Sequence, residues 1–166
     1  MKDTFADVRV VRRLILAYGA EVHLEGQAGP PVVLSANNLN PGTSVLGDAA
    51  VTLNLVSERT LYLDRAAGMT ITLPAPVAGY RAKFVVKTIS TSGGYVIVSA
   101  GGANIIAVSV AALDGNAGVT DDNADTVTLV ANNHNVGDTL TLESDGTLYY
   151  LTGTIKAANG LTTATT

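Results

Sequence analysis

Asp121-Asp122-Asn123-Ala124-Asp125 is the cluster in this chain whose residue types and spacing come nearest to a cation site. It follows the D-x-N-x-D spacing of the first half of a calcium loop, where alternate oxygens converge on one ion. The second half departs from that pattern. Thr126 stands where the sharp-turn glycine belongs, Asn132 stands where the bidentate glutamate belongs, and the flanks are strand-like. A solvated acidic loop is the plainer reading, and no metal is assigned to it. His134 falls in the polar turn Asn132–Asn135 and His23 in the first segment of the chain. Neither has a serine or cysteine and a carboxylate in a recognisable nucleophile elbow, so both read as surface histidines. Cysteine is absent, which removes thiolate catalysis, cysteine-held zinc and disulfides together. Gly93-Gly94 and Gly101-Gly102 open no phosphate-binding motif. Nothing singles out a pair among the 14 acids for glycoside hydrolysis. No catalytic residue and no cofactor are expected.

The other charged feature is basic. Lys2, Arg9, Arg12 and Arg13 are four of the ten Lys and Arg residues, against only Asp3 and Asp7 in the same stretch. The whole chain carries a net charge of −4, which argues against a nucleic-acid-binding domain. Val8, Val10 and Val11 interleave with Arg9, Arg12 and Arg13, a pattern that suits a helical stripe or a β-arm. Arginines touching nucleic acid would use phosphate charge alone. Interleaved valines favour a protein partner, so these six residues are the expected contact with another protein or a neighbouring subunit.

The elements that must position these residues are strands. Short β-branched runs such as Thr70–Leu73, Phe84–Thr88, Tyr95–Val98, Asp125–Val130, Thr139–Leu142 and Thr147–Leu151 are each closed by glycine, proline, asparagine or aspartate. Regular turn signals of this kind predict an all-β protein, a jelly-roll-like sandwich or barrel. Ser144-Asp145-Gly146-Thr147 is the strongest hairpin signal, and the two glycine pairs read as hairpin corners around Tyr95–Ser99. Tyr95, Tyr149 and Tyr150 fit the core and rim of a sheet better than a sugar-stacking platform. Residues 1–47 read as an extended N-terminal arm with short strand pieces, 48–160 as the body, and 161–166 as a loose tail. Charged residues make up only 14% against 47% hydrophobic, where about 25% charged is usual. Part of the exterior is therefore expected to be covered by neighbours, although a neutral Thr/Asn/Ser/Gly surface has the same composition. No membrane segment is expected, since the apolar stretches fall far short of the roughly 20 residues a spanning helix needs. Leu14–Ala17 is likewise too short for the core of a signal peptide.

The stretch from Leu61-Tyr62-Leu63-Asp64-Arg65 through Met69-Thr70-Ile71-Thr72-Leu73-Pro74-Ala75-Pro76, Gly79-Tyr80 and Phe84 resembles the β domains of tailed-bacteriophage virion proteins. Ser92–Ile97, Gly101–Ile106, Gly137–Leu142 and Ser144–Tyr150 extend the likeness, which covers about Leu61 to Gly153 and leaves the arm outside. Leu148-Tyr149-Tyr150-Leu151 departs from it by lacking a tryptophan. The resemblance implies a capsid decoration (cement) protein on the outer surface of the virion. Its partners would be the major capsid protein and itself, as a homotrimer. A glycan-binding domain of a tail fibre is the alternative.

Overall fold

A computed structural model of the chain describes residues 21–22, 32–33, 43–54 and 59–165. The chain divides into two units, Met1–Asn40 and Pro41–Thr166. In the first, β1 (Glu21–Val22) pairs antiparallel with β2 (Val32–Val33). Val8, Arg9, Val10, Val11, Arg12 and Arg13, the expected contact residues, lie outside the described residues, as does His23.

The second unit is an all-β sandwich of two sheets, as the periodicity predicts. Its first strands are β3 (Thr43–Leu46), β4 (Ala50–Thr52), β5 (Arg59–Leu63), β6 (Met69–Thr72), β7 (Arg81–Val86) and β8 (Tyr95–Val98). They are followed by β9 (Ile106–Ala112), β10 (Val119–Ala124), β11 (Thr126–Leu129), β12 (Thr139–Ser144), β13 (Tyr149–Ile155) and β14 (Leu161–Ala164). One sheet has the order β10-β9-β13-β12-β7-β5-β3 and the other β14-β11-β8-β6-β4.

From β3 to β8 the chain alternates between the sheets, and each strand lands parallel to the one before it in its own sheet. Thr43 pairs with Thr60 and Thr60 with Lys83 in one sheet, while Ala50 pairs with Thr70 and Thr70 with Val96 in the other. Parallel neighbours need a crossover connection. Here the crossover is the intervening strand of the facing sheet. The glycine pairs are therefore corners between sheets and not hairpin turns. Gly93-Gly94 leads into β8, whose neighbours are β6 and β11, and Gly101-Gly102 sits in a 3-10 turn with φ of 67° and 68°.

The second half closes the far end with antiparallel partners. β9 and β10 form a hairpin, the chain turns at Asp125 into β11 against β8, and β12 lies against β7. β13 returns between β12 and β9. Residues 161–166 read from sequence as a loose tail, yet Leu161–Ala164 pairs with β11 along its length because Leu161 and Leu129 share an inward column. Similarly, β3 lies within the expected arm but is the edge strand of the larger sheet.

Alternation sets the core. In β5 Leu61 and Leu63 point inward, in β6 Met69 and Ile71, in β7 Ala82, Phe84 and Val86, each flanked by more exposed residues. Registered columns such as Leu61–Phe84–Leu140 and Ile71–Ile97–Val127 then fill the space between the sheets. Burying each of these side chains is worth about 1.5–3 kcal/mol.

Candidate interaction surfaces

The residues that looked capable of chemistry are used by the fold. Asp121–Asp125 is not a loop but strand β10 and the corner after it. Asp121 accepts a hydrogen bond from the Asn123 backbone N–H (3.0 Å), a register shift follows between Asp121 and Ala124, and Asp125 is buried at the turn into β11. Edge bulges of this type bend a strand, which carries the chain from one sheet to the other. Among the described residues, no group of three or more histidine and acidic side chains could hold a metal.

His134 is buried, not on the surface. Its Nε2 accepts a hydrogen bond from the Ser90 backbone N–H (2.9 Å), so Nδ1 must carry the proton donated to the Val130 carbonyl (2.7 Å). The Ser90 Oγ lies 3.5 Å from the same Nε2. That pair is no nucleophile and base, because the Nε2 lone pair is already engaged and both residues are sealed from solvent. The sequence separation of 44 residues hid this contact.

Three tyrosines divide as the sequence suggests. Tyr95 is buried with its ring 5.1 Å from His134, and its hydroxyl donates to the Thr88 carbonyl (2.6 Å) and accepts from the Arg65 N–H (3.1 Å). Burial is the main reason its pKa is raised. Tyr149 is buried edge-on to Tyr80 and donates to the Pro74 carbonyl (2.9 Å). Burial, helped by Tyr80, pushes its hydroxyl up to about 12. Tyr150 is on the rim, 43% exposed, with its hydroxyl donating to Asp145 (2.9 Å).

With these groups internal, the two outer faces carry what the molecule shows to others. Outward positions of the five-stranded sheet register as two rows, Ala50–Thr70–Val96–Thr128–Thr162 and Thr52–Thr72–Val98–Thr126–Ala164. Both rows consist of threonine, valine and alanine alone, without an ionisable side chain. β-Branched residues suit the pleated surface, and their short side chains leave it flat. The seven-stranded sheet differs. Its outer face holds a shallow hollow of about 290 Å³ lined by Arg59, Thr60, Arg81, Lys83, Thr141 and Glu143. Arg59 is braced by Ser44 Oγ (2.6 Å) and Arg81 lies 3.4 Å from Glu143. Three of the six cations among the described residues thus meet at one hollow.

The class defined by these features is a two-sheeted β-sandwich whose larger polar groups hold the fold. No family model matches the chain, and no curated protein aligns with it.

Proposed function

We propose that the chain is a structural virion protein that binds the outside of a tailed-bacteriophage capsid and stabilises the shell as a decoration protein. The phage setting comes from the resemblance of Leu61–Gly153. The observation that carries the mechanism is the outer face of the five-stranded sheet, whose two rows hold no ionisable side chain, with Arg65 at its margin donating to the Gly47 carbonyl. Desolvating threonine, valine and alanine costs far less than desolvating charge, so such a face suits lasting cover by the major capsid protein. Strands about 4.8 Å apart, with some four residues each at about 3.3 Å, give a plane on the order of 300 Å². A stable interface needs roughly 800 Å² per partner. One face is therefore too small alone, and a homotrimer engaging several capsid subunits would multiply it through avidity. The N-terminal segment around Val8, Arg9, Val10, Val11, Arg12 and Arg13 would add a second anchor. No catalytic step, cofactor, nucleic acid or membrane enters the proposal. A glycan-binding tail-fibre role draws less support, since Tyr95 and Tyr149 are buried and Tyr150 is tied to Asp145.

The test is binding to capsids that lack the protein, measured by co-sedimentation. Thr72→Lys with Thr126→Lys places charge in the middle of the face and should abolish binding while leaving the melting temperature of the free protein within a few degrees. Undiminished binding by that variant would remove the face from the mechanism.

A further inference from the structure

On the outer face of the seven-stranded sheet the register sets Lys83 between Thr60 and Thr141, a row across β5, β7 and β12 that lies within the basic hollow. Strands stand about 4.8 Å apart, so Lys83 has a threonine close on each flank. Arg81 lies two residues before Lys83 on the same face of β7, 3.4 Å from Glu143. Arg59 lines the hollow from the head of β5, its guanidinium held by Ser44 Oγ (2.6 Å) and Asn54 Oδ1 (3.3 Å). The side chains of Thr60, Lys83 and Thr141 make no hydrogen bond or ion pair among the described residues. In the next row, by contrast, the hydroxyls of Thr139 and Thr154 meet each other at 3.3 Å.

The other three described cations are engaged within the fold. Arg65 donates to the Gly47 carbonyl (3.0 Å), Lys87 pairs with Asp64 (2.6 Å) and Lys156 donates to the Val136 carbonyl (2.6 Å). Arg59, Arg81 and Lys83 instead share one hollow with a single lining carboxylate, Glu143. Like charges this close repel one another, and Lys83 neutralises no acid in return. Placing it there costs the fold stability and readies the hollow for an anion. The positive charge also stops at the hollow. Its row continues as Thr152, Ser109 and Thr120, none of them a cation. A polyanion needs a run of phosphate contacts, so the ligand is a single acidic group. At about 290 Å³ the hollow stands at the lower limit for small-molecule pockets, roughly 300–1,000 Å³, which suits one such group.

We infer that the hollow is an oxyanion site that takes one carboxylate or phosphate group. Lys83 is its central cation, Arg81 stands beside it, and the Thr60 and Thr141 hydroxyls are flanking donors. Hydrogen bonds from ammonium and guanidinium groups to an oxyanion are the strong ones, and the hydroxyls fix where the group sits. Glu143 holds Arg81 in place and leaves the hollow with positive charge in excess. A free anion and an acidic side chain on a protein partner supply the same chemistry, and the experiment separates them. The site itself goes beyond the capsid-binding reading and does not rest on it.

Amide NMR of the isotope-labelled full chain, titrated with sodium phosphate at an ionic strength held constant with sodium chloride, tests the site. Saturable shifts should be confined to amides around Thr60, Lys83 and Thr141. Lys83→Gln should weaken binding about tenfold or more. Thr60→Val with Thr141→Val leaves the charge unchanged and should weaken it several-fold. Lys87→Gln removes a cation engaged with Asp64 and should bind phosphate as the parent does. These side chains face outward, so the melting temperatures should stay within a few degrees of the parent. Shifts that never saturate, or equal losses in Lys83→Gln and Lys87→Gln, overturn the site. Co-sedimentation with capsids then identifies the source. Phosphate that displaces the parent, together with weaker capsid binding by Lys83→Gln, assigns the oxyanion to a side chain of the shell. Capsid binding unchanged by both assigns it to a free anion. A chain that binds no capsid removes the proposed function and leaves the phosphate result standing.

Discussion

At His134 both ring nitrogens are committed to backbone groups, the distant Ser90 N–H on one side and the Val130 carbonyl of its own turn on the other. His134→Ala would leave the buried Ser90 N–H unpaired and open a cavity, while the Val130 carbonyl keeps the Asn133 and His134 N–H groups, so a loss of about 2–4 kcal/mol is expected in denaturant unfolding. Tyr95→Phe removes only the hydroxyl that the Thr88 carbonyl and Arg65 N–H share, and should cost about 1–2 kcal/mol. Proton linkage adds a pH signature. Asp64 is held below its ordinary 3.8 first by the Lys87 hydrogen bond, and Asp145 by the N–H groups of Leu148 and Thr147. Asp114 and Asp121 are lowered as well, Asp114 first by the Ala158 N–H and Asp121 first by Thr163. A lowered carboxylate stabilises the fold above its unfolded pKa and stops doing so as pH falls through the native one. The melting temperature should therefore decline below about pH 4. Tyr149 works in the other direction. Its contribution is present below the ordinary 10.0 and is lost as pH rises through about 12. Alkaline titration followed by near-ultraviolet absorbance should show tyrosines ionising late, and Tyr149→Phe should remove the latest step.

At the scale of elements, the corners between sheets carry the tightest constraints. Gly68 has a φ of +74°, and a Cβ there would run into the backbone carbonyls of Gly93 and Gly94 where the β6 and β8 corners stack. Gly68→Ala combines a disallowed backbone with a backbone clash, and should cost about 2 kcal/mol or more by thermal unfolding. The β12–β13 hairpin is tied differently. Asp145 Oδ1 accepts from the N–H groups of Thr147 (2.7 Å) and Leu148 (2.8 Å), and Gly146 has a φ of +99°. β14 closes one side of the smaller sheet. Deleting residues 161–166 would bare the edge of β11 and remove the buried Leu161, so the truncated chain should melt lower and aggregate on heating.

For the whole molecule, the proposed binding surfaces are the threonine, valine and alanine rows of the smaller sheet and the basic hollow of the larger one. The full chain is expected to sediment as a trimer at micromolar concentration, and a clean monomer would remove the assembly step. Deleting the first sixteen residues should leave a body with an unchanged melting transition that binds capsids more weakly, because the arginine and valine cluster is lost. Binding of the intact protein should weaken as salt rises, since exposed ion pairs are screened beyond about 8 Å at physiological ionic strength. A truncated protein that binds as tightly as the parent would show that the anchor lies in the sandwich alone.

What the sequence by itself determined was local. Period-two alternation in Thr70–Leu73, Tyr95–Val98 and Thr139–Leu142 identified strands and their buried faces, because side-chain direction in a strand depends only on position. Asp145-Gly146 marked its hairpin because those residues satisfy a turn locally. Order of strands and partners of polar groups were decided by the tertiary structure. Parallel pairing of β3, β5 and β7 depends on a facing sheet built by the strands between them, which no window of sequence contains. His134 reads as a surface turn residue until the Ser90 N–H, far along the chain, is brought against it. Asp121–Asp125 reads as a loop because acidic residues seldom fill a strand, and the β9 ladder overrides that preference. The uncharged face arises the same way: scattered threonines, valines and alanines become a surface only when five strands are set in register.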